Sequence, residues 1–330
     1  MGKTLIEWTD ESINPIVAYL EQPPADARTR NEGHYCEKVS PGCRGCYSSG
    51  MQHRFGLPPF QEQRGRADIK HRLKVDRLEY VLRKKKPTKF FWCDMTDMFG
   101  SWVPNEWIAA CFGVMAATPH HVHQVLTKRA ERLPEWFGWL EQSLVSNGHG
   151  ANAARGARWF AWNHIDDLRV HDPAQPWLWP LSNVHLGVSC EDQQRADERI
   201  PHLLRTPAAV RWVSAEPLLG PIDLLGVDDD GNYGPGLALK SVQHRTDYGT
   251  GVEHDVDAQA GLDWVVVGSE SGPRARPMDI SWARSIVDQC TAWEVPVFTK
   301  QIANASDRKG GDPQFWPPGE WPRQFPRSAP

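Results

Sequence analysis

Short apolar runs, each ending abruptly in polar residues, recur along the chain. Lys89-Phe90-Phe91-Trp92-Cys93 stops at Asp-Met-Thr-Asp, and His123-Gln124-Val125-Leu126 stops at Thr127-Lys128-Arg129. Val184 to Val188 leads into Ser-Cys-Glu-Asp-Gln, and Val210-Arg211-Trp212-Val213 leads into SAEPLLGPI. Trp264 to Val267 leads into GSESGPRARP, and Pro296-Val297-Phe298 into Thr-Lys-Gln. Runs this short and continuous predict strands buried on both faces. The segments 104–117, 192–205 and 280–293 between them are long enough for crossover helices. Ile16-Val17-Ala18 predicts a further short strand.

Strands alternating with helices predict an α/β fold, a parallel sheet of six or seven β-α units covered by helices. Such a sheet either curls into a partial or complete (β/α) barrel or stays open and doubly wound. Either way, the carboxyl ends of the strands gather the unusual residues: Asp94, Asp97, Lys128, Glu191, Glu216, Glu270 and Lys300. Two stretches interrupt the rhythm and predict long insertions, near 141–180 and 225–260. This alternation predicts a single domain over residues 1–303, and a Pro-rich tail at 304–330 without regular structure.

Composition narrows the class. The chain has 330 residues, 40% hydrophobic, with 16 Trp and 11 Phe, enough apolar area for a large folded core. No apolar run reaches the roughly 18 residues of a membrane span, and MGKTLIEWTDE does not read as a signal peptide. Seven unevenly spaced cysteines do not resemble a secreted disulfide framework, so a reducing, cytoplasmic setting is expected. A formal charge of -4 argues against a general nucleic-acid coating surface. The basic run RKKKPTK at 83–89 is the local exception, and reads more simply as a solvated loop.

Three of the seven cysteines sit together in HYCEKVSPGCRGCY at 34–47. Cys43 and Cys46 form a CxxC with Cys36 seven positions upstream, and Pro41, Gly42 and Gly45 favour a tight turn. Soft thiolates at this spacing select zinc, copper(I) or an iron–sulfur cluster. Three readings stand. The first is a structural zinc with His34 or His53 as fourth ligand. The second is a dithiol redox pair, which leaves Cys36 without a role. The third is a four-iron cluster with one iron left open.

Beyond these cysteines, SINP at 12–15, LTKRAERLP at 126–134, SAEPLLGPI at 214–222, VVVGSESGPRARPM at 265–278 and VPVFTKQ at 295–301 complete a pattern. Together they resemble the phage-associated three-cysteine family of radical S-adenosylmethionine (radical SAM)-like proteins. The first interval departs from the usual motif, C-x6-C-x2-C here in place of C-x3-C-x2-C, while Tyr47 after the CxxC agrees. The resemblance implies a radical-SAM-type barrel, a [4Fe-4S] cluster on Cys36, Cys43 and Cys46, and S-adenosylmethionine on the open iron. It also implies an external one-electron reductant and a cytoplasmic, phage-encoded setting in an infected cell.

The remaining roles follow by position. Asp94, Asp97, Lys128, Ser189 and Glu191 are candidates for the carboxylate, amine and ribose of S-adenosylmethionine; Glu216, Glu270 and Lys300 are candidates for substrate or cofactor contacts. The substrate class that the phage-like setting favours is nucleic acid or nucleotide, one version being isomerisation of an amino-acid-modified thymine in DNA. A tRNA- or small-nucleotide-modifying radical enzyme is the next reading, and a non-catalytic zinc-stabilised nucleic-acid-binding protein a third. His120, His121 and His123 read as turn and packing residues, Cys93 and Cys111 as core, and Cys190 as a minor candidate hydrogen donor. No oligomeric state follows from the sequence.

Overall fold

A computed structural model describes residues 2–4, 6–21, 31–54, 69–146, 157, 160–161, 163–165, 180–224, 261–272, 274–303, 307, 309–326. The chain groups into two compact units. One holds residues 1–187 with 207–209 and 329–330, and the other holds 188–206 and 210–328.

The first unit carries the start of a sheet in the order β1 (Gly2–Lys3), β2 (Glu11–Ile13), β6 (Lys89–Trp92), β7 (Val122–Thr127) and β8 (Val184–Ser189). β2 runs parallel to β6, and β6 to β7, while β1 is an antiparallel edge. Helices α2 (Val75–Arg83), α3 (Asn105–Ala116) and α4 (Arg132–Ser146) connect them. α2 turns Leu78, Val81 and Leu82 inward at helical spacing, and α3 is buried on nearly every side. A second sheet, antiparallel, holds β3 (Ile16–Leu20) between β4 (Glu32–Gly33) and β5 (Ile69–Leu73). Helix α1 (Tyr47–Arg54) follows the cysteine loop.

The second unit holds the last residues of β8 with β9 (Val210–Ala215), β10 (Trp264–Gly268) and β11 (Val297–Gln301); β9–β10 and β10–β11 are parallel. Every residue of β10 is buried, as two-sided helix cover requires. Burying its Trp and three Val contributes roughly 1.5–3 kcal/mol per side chain. Helix α5 (Gln193–Leu204) starts where Asp192 Oδ1 accepts from the Arg195 amide at 2.9 Å; α6 (Ile280–Ala292) starts at Asp279 in the same way. α6 turns Ala283, Ile286, Val287 and Cys290 inward.

The α/β class and all six predicted strands of the parallel array are present, with boundaries moved by one to three residues. Three expectations change. Ile16–Leu20 is a strand, but of the antiparallel sheet; the additional parallel strand is Glu11–Ile13, too short and polar to show a periodicity. The insertion near 141–180 starts later, because α4 runs to Ser146; most of the rest of it, and the stretch 225–260, lie outside the described residues. The tail contains a 3-10 turn at Pro313–Phe315 and bridges antiparallel to β11, Arg323 opposite Phe298.

Candidate functional sites

In the first unit, the cysteine loop is built by its own turn chemistry. Pro41 opens a 3-10 turn closed by Cys43 N–H donating to Ser40 O (3.0 Å) and Arg44 N–H to Pro41 O (3.2 Å). Cys46 N–H then donates to Cys43 O at 3.4 Å, so the CxxC is one compact turn leading into α1. The thiols of Cys36, Cys43 and Cys46 are electrostatic neighbours. Burial, then the negative charge of Asp97, pushes the Cys36 thiol up to about 12 against the opposing pull of Arg129. Burial also pushes the Cys46 thiol up, while backbone N–H groups of Ser48 and Ser49 and the Lys128 ammonium oppose it. As free thiols, Cys36 and Cys46 are therefore protonated at neutral pH.

This loop rests on the turn after β6. Tyr47 Oη donates to Asp94 O (2.9 Å), Ser48 Oγ to Met95 O (3.0 Å), and Thr96 Oγ1 to Tyr35 O. Asp97 is the hub: Oδ1 accepts from Thr127 Oγ1 (2.7 Å) and Phe99 N–H (3.0 Å), and Oδ2 from Lys128 N–H (3.0 Å) and Arg129 Nη1 (3.0 Å). Arg129 also donates from Nη2 to Glu37 O at 3.2 Å and lies 4.6 Å over the Trp102 ring. Asp94 accepts from Asn14 Nδ2; burial raises its carboxyl, with Asn14, Ser12 and Tyr47 working against that rise.

The structure thus brings Cys36, Cys43, Cys46, Asp94, Asp97 and Lys128 into one neighbourhood. Asp97 is occupied by four protein donors and Asp94 by the side chains of Asn14 and Tyr47, so both first of all tie the loop to the sheet. Among the described residues, no group of three or more His, Cys, Asp or Glu is arranged to hold a metal ion as the side chains stand. The donor set nevertheless fits a soft centre in kind: three adjacent thiols, two cations beside them, and protons to be displaced on binding. His34 is held elsewhere, its Nδ1 3.3 Å from Ile16 O; burial, then Arg77, brings it down to about 4. The His53 side chain lies outside the described residues.

In the second unit, polar groups collect at the carboxyl ends of β8 to β11. Lys300 Nζ stands 2.9 Å from Glu216 Oε1; their side chains are 21% and 11% exposed. Glu216 lies over Gly268, where an added Cβ would sit 2.8 Å from Glu216 Oε1, so a bare residue on β10 lets the carboxylate fold across the strand. Ser189 Oγ donates to Glu216 O at 3.3 Å, and Leu218 N–H to Gly268 O at 2.9 Å. Lys300 lies within β11 rather than past its end.

Glu270 and Glu191 are each claimed by an arginine. Arg276 grips Glu270 with its amide and Nε on Oε2 (2.9 and 2.8 Å) and Nη2 on Oε1 (2.8 Å), holding that carboxyl below its usual range. Glu191 is fully buried, 2.9 Å from Arg199 Nη1. Cys190 is buried, with Sγ 3.6 Å from Arg195 O.

Several partners escaped the sequence reading. Asn14, Tyr47 and Glu37 hold the thiol loop, and Arg199 and Arg276 neutralise the second unit's acids. The available signals were Asn14-Pro15 as a turn dipeptide and Tyr47 adjoining the CxxC. His123 packs as expected, Nδ1 accepting from Trp92 Nε1 (3.0 Å) and Nε2 3.0 Å from Thr118 Oγ1. In the basic run, Arg83 pairs with Glu79 and Lys84 with Glu11.

A protein-family model, described as a protein of unknown function (DUF5131), matches residues 3–311. The chain belongs to the DUF5131 family. No curated protein and no solved structure matches it. The DUF5131 match takes in both the thiol loop and the strand-end cluster, and stops before residues 312–326 of the tail. No helix among the described residues is long and apolar enough to cross a membrane.

Proposed function

We propose that this DUF5131 member is a radical SAM enzyme acting on a nucleic-acid or nucleotide substrate. The observation that carries the reading is the loop of three adjacent thiols, with Cys43 buried and the half-buried Cys36 and Cys46 held towards their neutral form, beside the Lys128 and Arg129 cations. Cys36, Cys43 and Cys46 would hold a [4Fe-4S] cluster by three irons. When bound, such a cluster would supply one-electron reductive cleavage of S-adenosylmethionine, with the electron from an external reductant, and through it hydrogen-atom abstraction from substrate.

The chain's own residues do the positioning. Asp97 holds the Lys128 amide, the Thr127 hydroxyl and the Arg129 guanidinium, and thereby keeps two cations beside the thiols. Their charge offsets part of the negative charge of three thiolates. Asp94, anchored by Asn14 and Tyr47, is the acceptor for an ammonium or hydroxyl. Within the second unit, Lys300 and Glu216 form the partly exposed pair that can turn to a ligand, with Ser189 and Glu270 beside that strand-end region. The parallel strand order in each unit supports a partial (β/α) barrel as the scaffold. Isomerisation of an amino-acid-modified thymine is the substrate-level version of the proposal.

The test is electron paramagnetic resonance of anaerobically reconstituted, reduced full-length protein, with and without S-adenosylmethionine, and with iron and zinc counted. The parent is compared with a C36A/C43A/C46A variant. A cluster signal that shifts on adding S-adenosylmethionine, and is absent from the variant, is expected. Stoichiometric zinc with no reconstitutable cluster signal overturns the reading.

A further inference from the structure

The tail supplies an inference that does not lean on the radical chemistry. β11 ends the sheet order, and β10 takes one of its edges. Left alone, the other edge would present unpaired N–H and C=O groups, a template for another chain. Tail residues take those groups instead. Thr299 N–H donates to Pro322 O at 2.8 Å, and Gln324 N–H to Val297 O at 3.0 Å; Val297 N–H reaches Gln324 Oε1 at 3.3 Å. Arg323 completes the set by donating from Nε to Thr299 O and from Nη2 to Lys300 O, both at 3.1 Å.

The strap is anchored well beyond those bonds. The Arg323 guanidinium lies 5.0 Å from the Trp316 ring centre and 5.6 Å from that of Phe298. Trp316 is buried and donates from Nε1 to Gly310 O at 2.8 Å. Phe325 stacks on Trp264 of β10, ring centres 6.0 Å apart, and Gln324 O accepts from Trp264 Nε1 at 2.9 Å. From α6, Arg284 lies 3.8 Å over Trp321 and donates to Glu320 O and Pro318 O. Gly319, at φ +126°, permits the turn in a backbone region where an L side chain is strained.

We propose that residues 312–326 form a built-in clasp, lying beyond the family match, that seals the β11 edge and that, through Arg323, positions Lys300 against Glu216. Arg323 is the positioning residue. It fixes the Lys300 carbonyl on one side of the strand while the Lys300 side chain pairs with Glu216. A planar guanidinium suits this work, since one fork spans two successive carbonyls and also faces two rings. Lysine has neither the fork nor the flat face.

The experiment measures how fast an amine-reactive ester acylates individual lysines of the folded, full-length protein, read by peptide mass spectrometry. Lys85 and Lys86, exposed in the other unit, serve as internal controls. In the parent, Lys300 should react slowly. In R323A its rate should rise severalfold towards that of E216Q, and the Thr299 amide should lose hydrogen-exchange protection. R323K should only partly restore both, and the controls should not move. R284A loosens the clasp from its other anchor without touching β11, and should give a smaller rise in the same direction; it carries the test if R323A does not fold. A Lys300 rate unchanged in folded R323A and R284A overturns the positioning role, including the case in which Thr299 alone loses protection.

Discussion

The two clusters share buried ion pairs and differ in the thiols that stand beside one of them. In the first unit, the carboxylate of Asp97 is spent on backbone amides, a hydroxyl and Arg129, while the neighbouring Cys36 and Cys46 are pushed towards the neutral thiol by burial. In the second, each acid has its own cation: Glu191 with Arg199, Glu270 with Arg276, Glu216 with Lys300. A self-neutralised cluster is complete without a guest. On the proposed function, a soft cation would complete the three thiols and displace the protons of Cys36 and Cys46, so the first unit is the one expected to change most on loading.

The largest expected effect tests the ion pairs common to both regions. Removing one partner of a buried pair strands the other, at about 3–5 kcal/mol. D97A should therefore lose about that much in urea denaturation, and R199A a similar amount, since the fully buried Glu191 then lacks its guanidinium. If R199A is nearly neutral while D97A is not, the second unit's acids are less dependent on pairing than the geometry implies.

Acid should separate the two units next. His34 and His185 are brought down to about 4 by burial, and His123 well below its ordinary value, all in the first unit. Their folded values lie below the unfolded 6.5, so the stability they contribute is complete above pH 6.5. It is lost as pH falls towards 4, at up to about 1.4 kcal/mol per histidine per pH unit. Glu270, depressed by Arg276, holds its contribution until pH falls through the ordinary carboxylate range near 4.5 and below. Hydrogen exchange across pH 7 to 4 should show the first unit loosening first; simultaneous loosening would contradict this order.

Loading the thiols should release protons. Anaerobic titration with cobalt(II), followed by sulfur-to-metal charge-transfer absorption and by pH-stat, should give absorption and acid release in the parent and neither in C36A/C43A/C46A. Equal acid release from the variant would move the metal off these cysteines.

The smallest effect sharpens the second site. The Glu216–Lys300 pair is partly exposed, so E216Q should cost no more than about 1 kcal/mol. G268A should displace the Glu216 side chain at a similarly small cost, because its nearest neighbour is the end of a flexible chain. A double-mutant cycle of E216Q with K300M, run in the parent and in G268A, should show coupling only in the parent.

Much of this was legible along the chain because its signals are local. β6 to β11 read as apolar runs because two-sided burial demands an unbroken one, and the Pro41-Gly42 turn read correctly because proline fixes its own φ and glycine permits a tight turn. Glu11–Ile13 did not, since three residues with two polar ones carry no period and are held as a strand by pairing with β6. The candidate acids were found by their place after strands. Their partners were not: Arg276 is six residues from Glu270, but Lys300 is 84 from Glu216, and no local pattern links such positions.

The sequence by itself determined the α/β class, the order of the six strands from Lys89–Trp92 to Val297–Gln301, and the soft-donor side chains at Cys36, Cys43 and Cys46, all of which depend on residue type and near-neighbour spacing. Only the tertiary structure decided that Ile16–Leu20 leaves the parallel sheet, that Asp97 is tied to the backbone beside the thiols, and that the Pro-rich tail closes β11. Those outcomes depend on which distant groups meet inside a low-dielectric core. There an unpaired charge or an open strand edge is costly enough to choose its partner from anywhere in the chain.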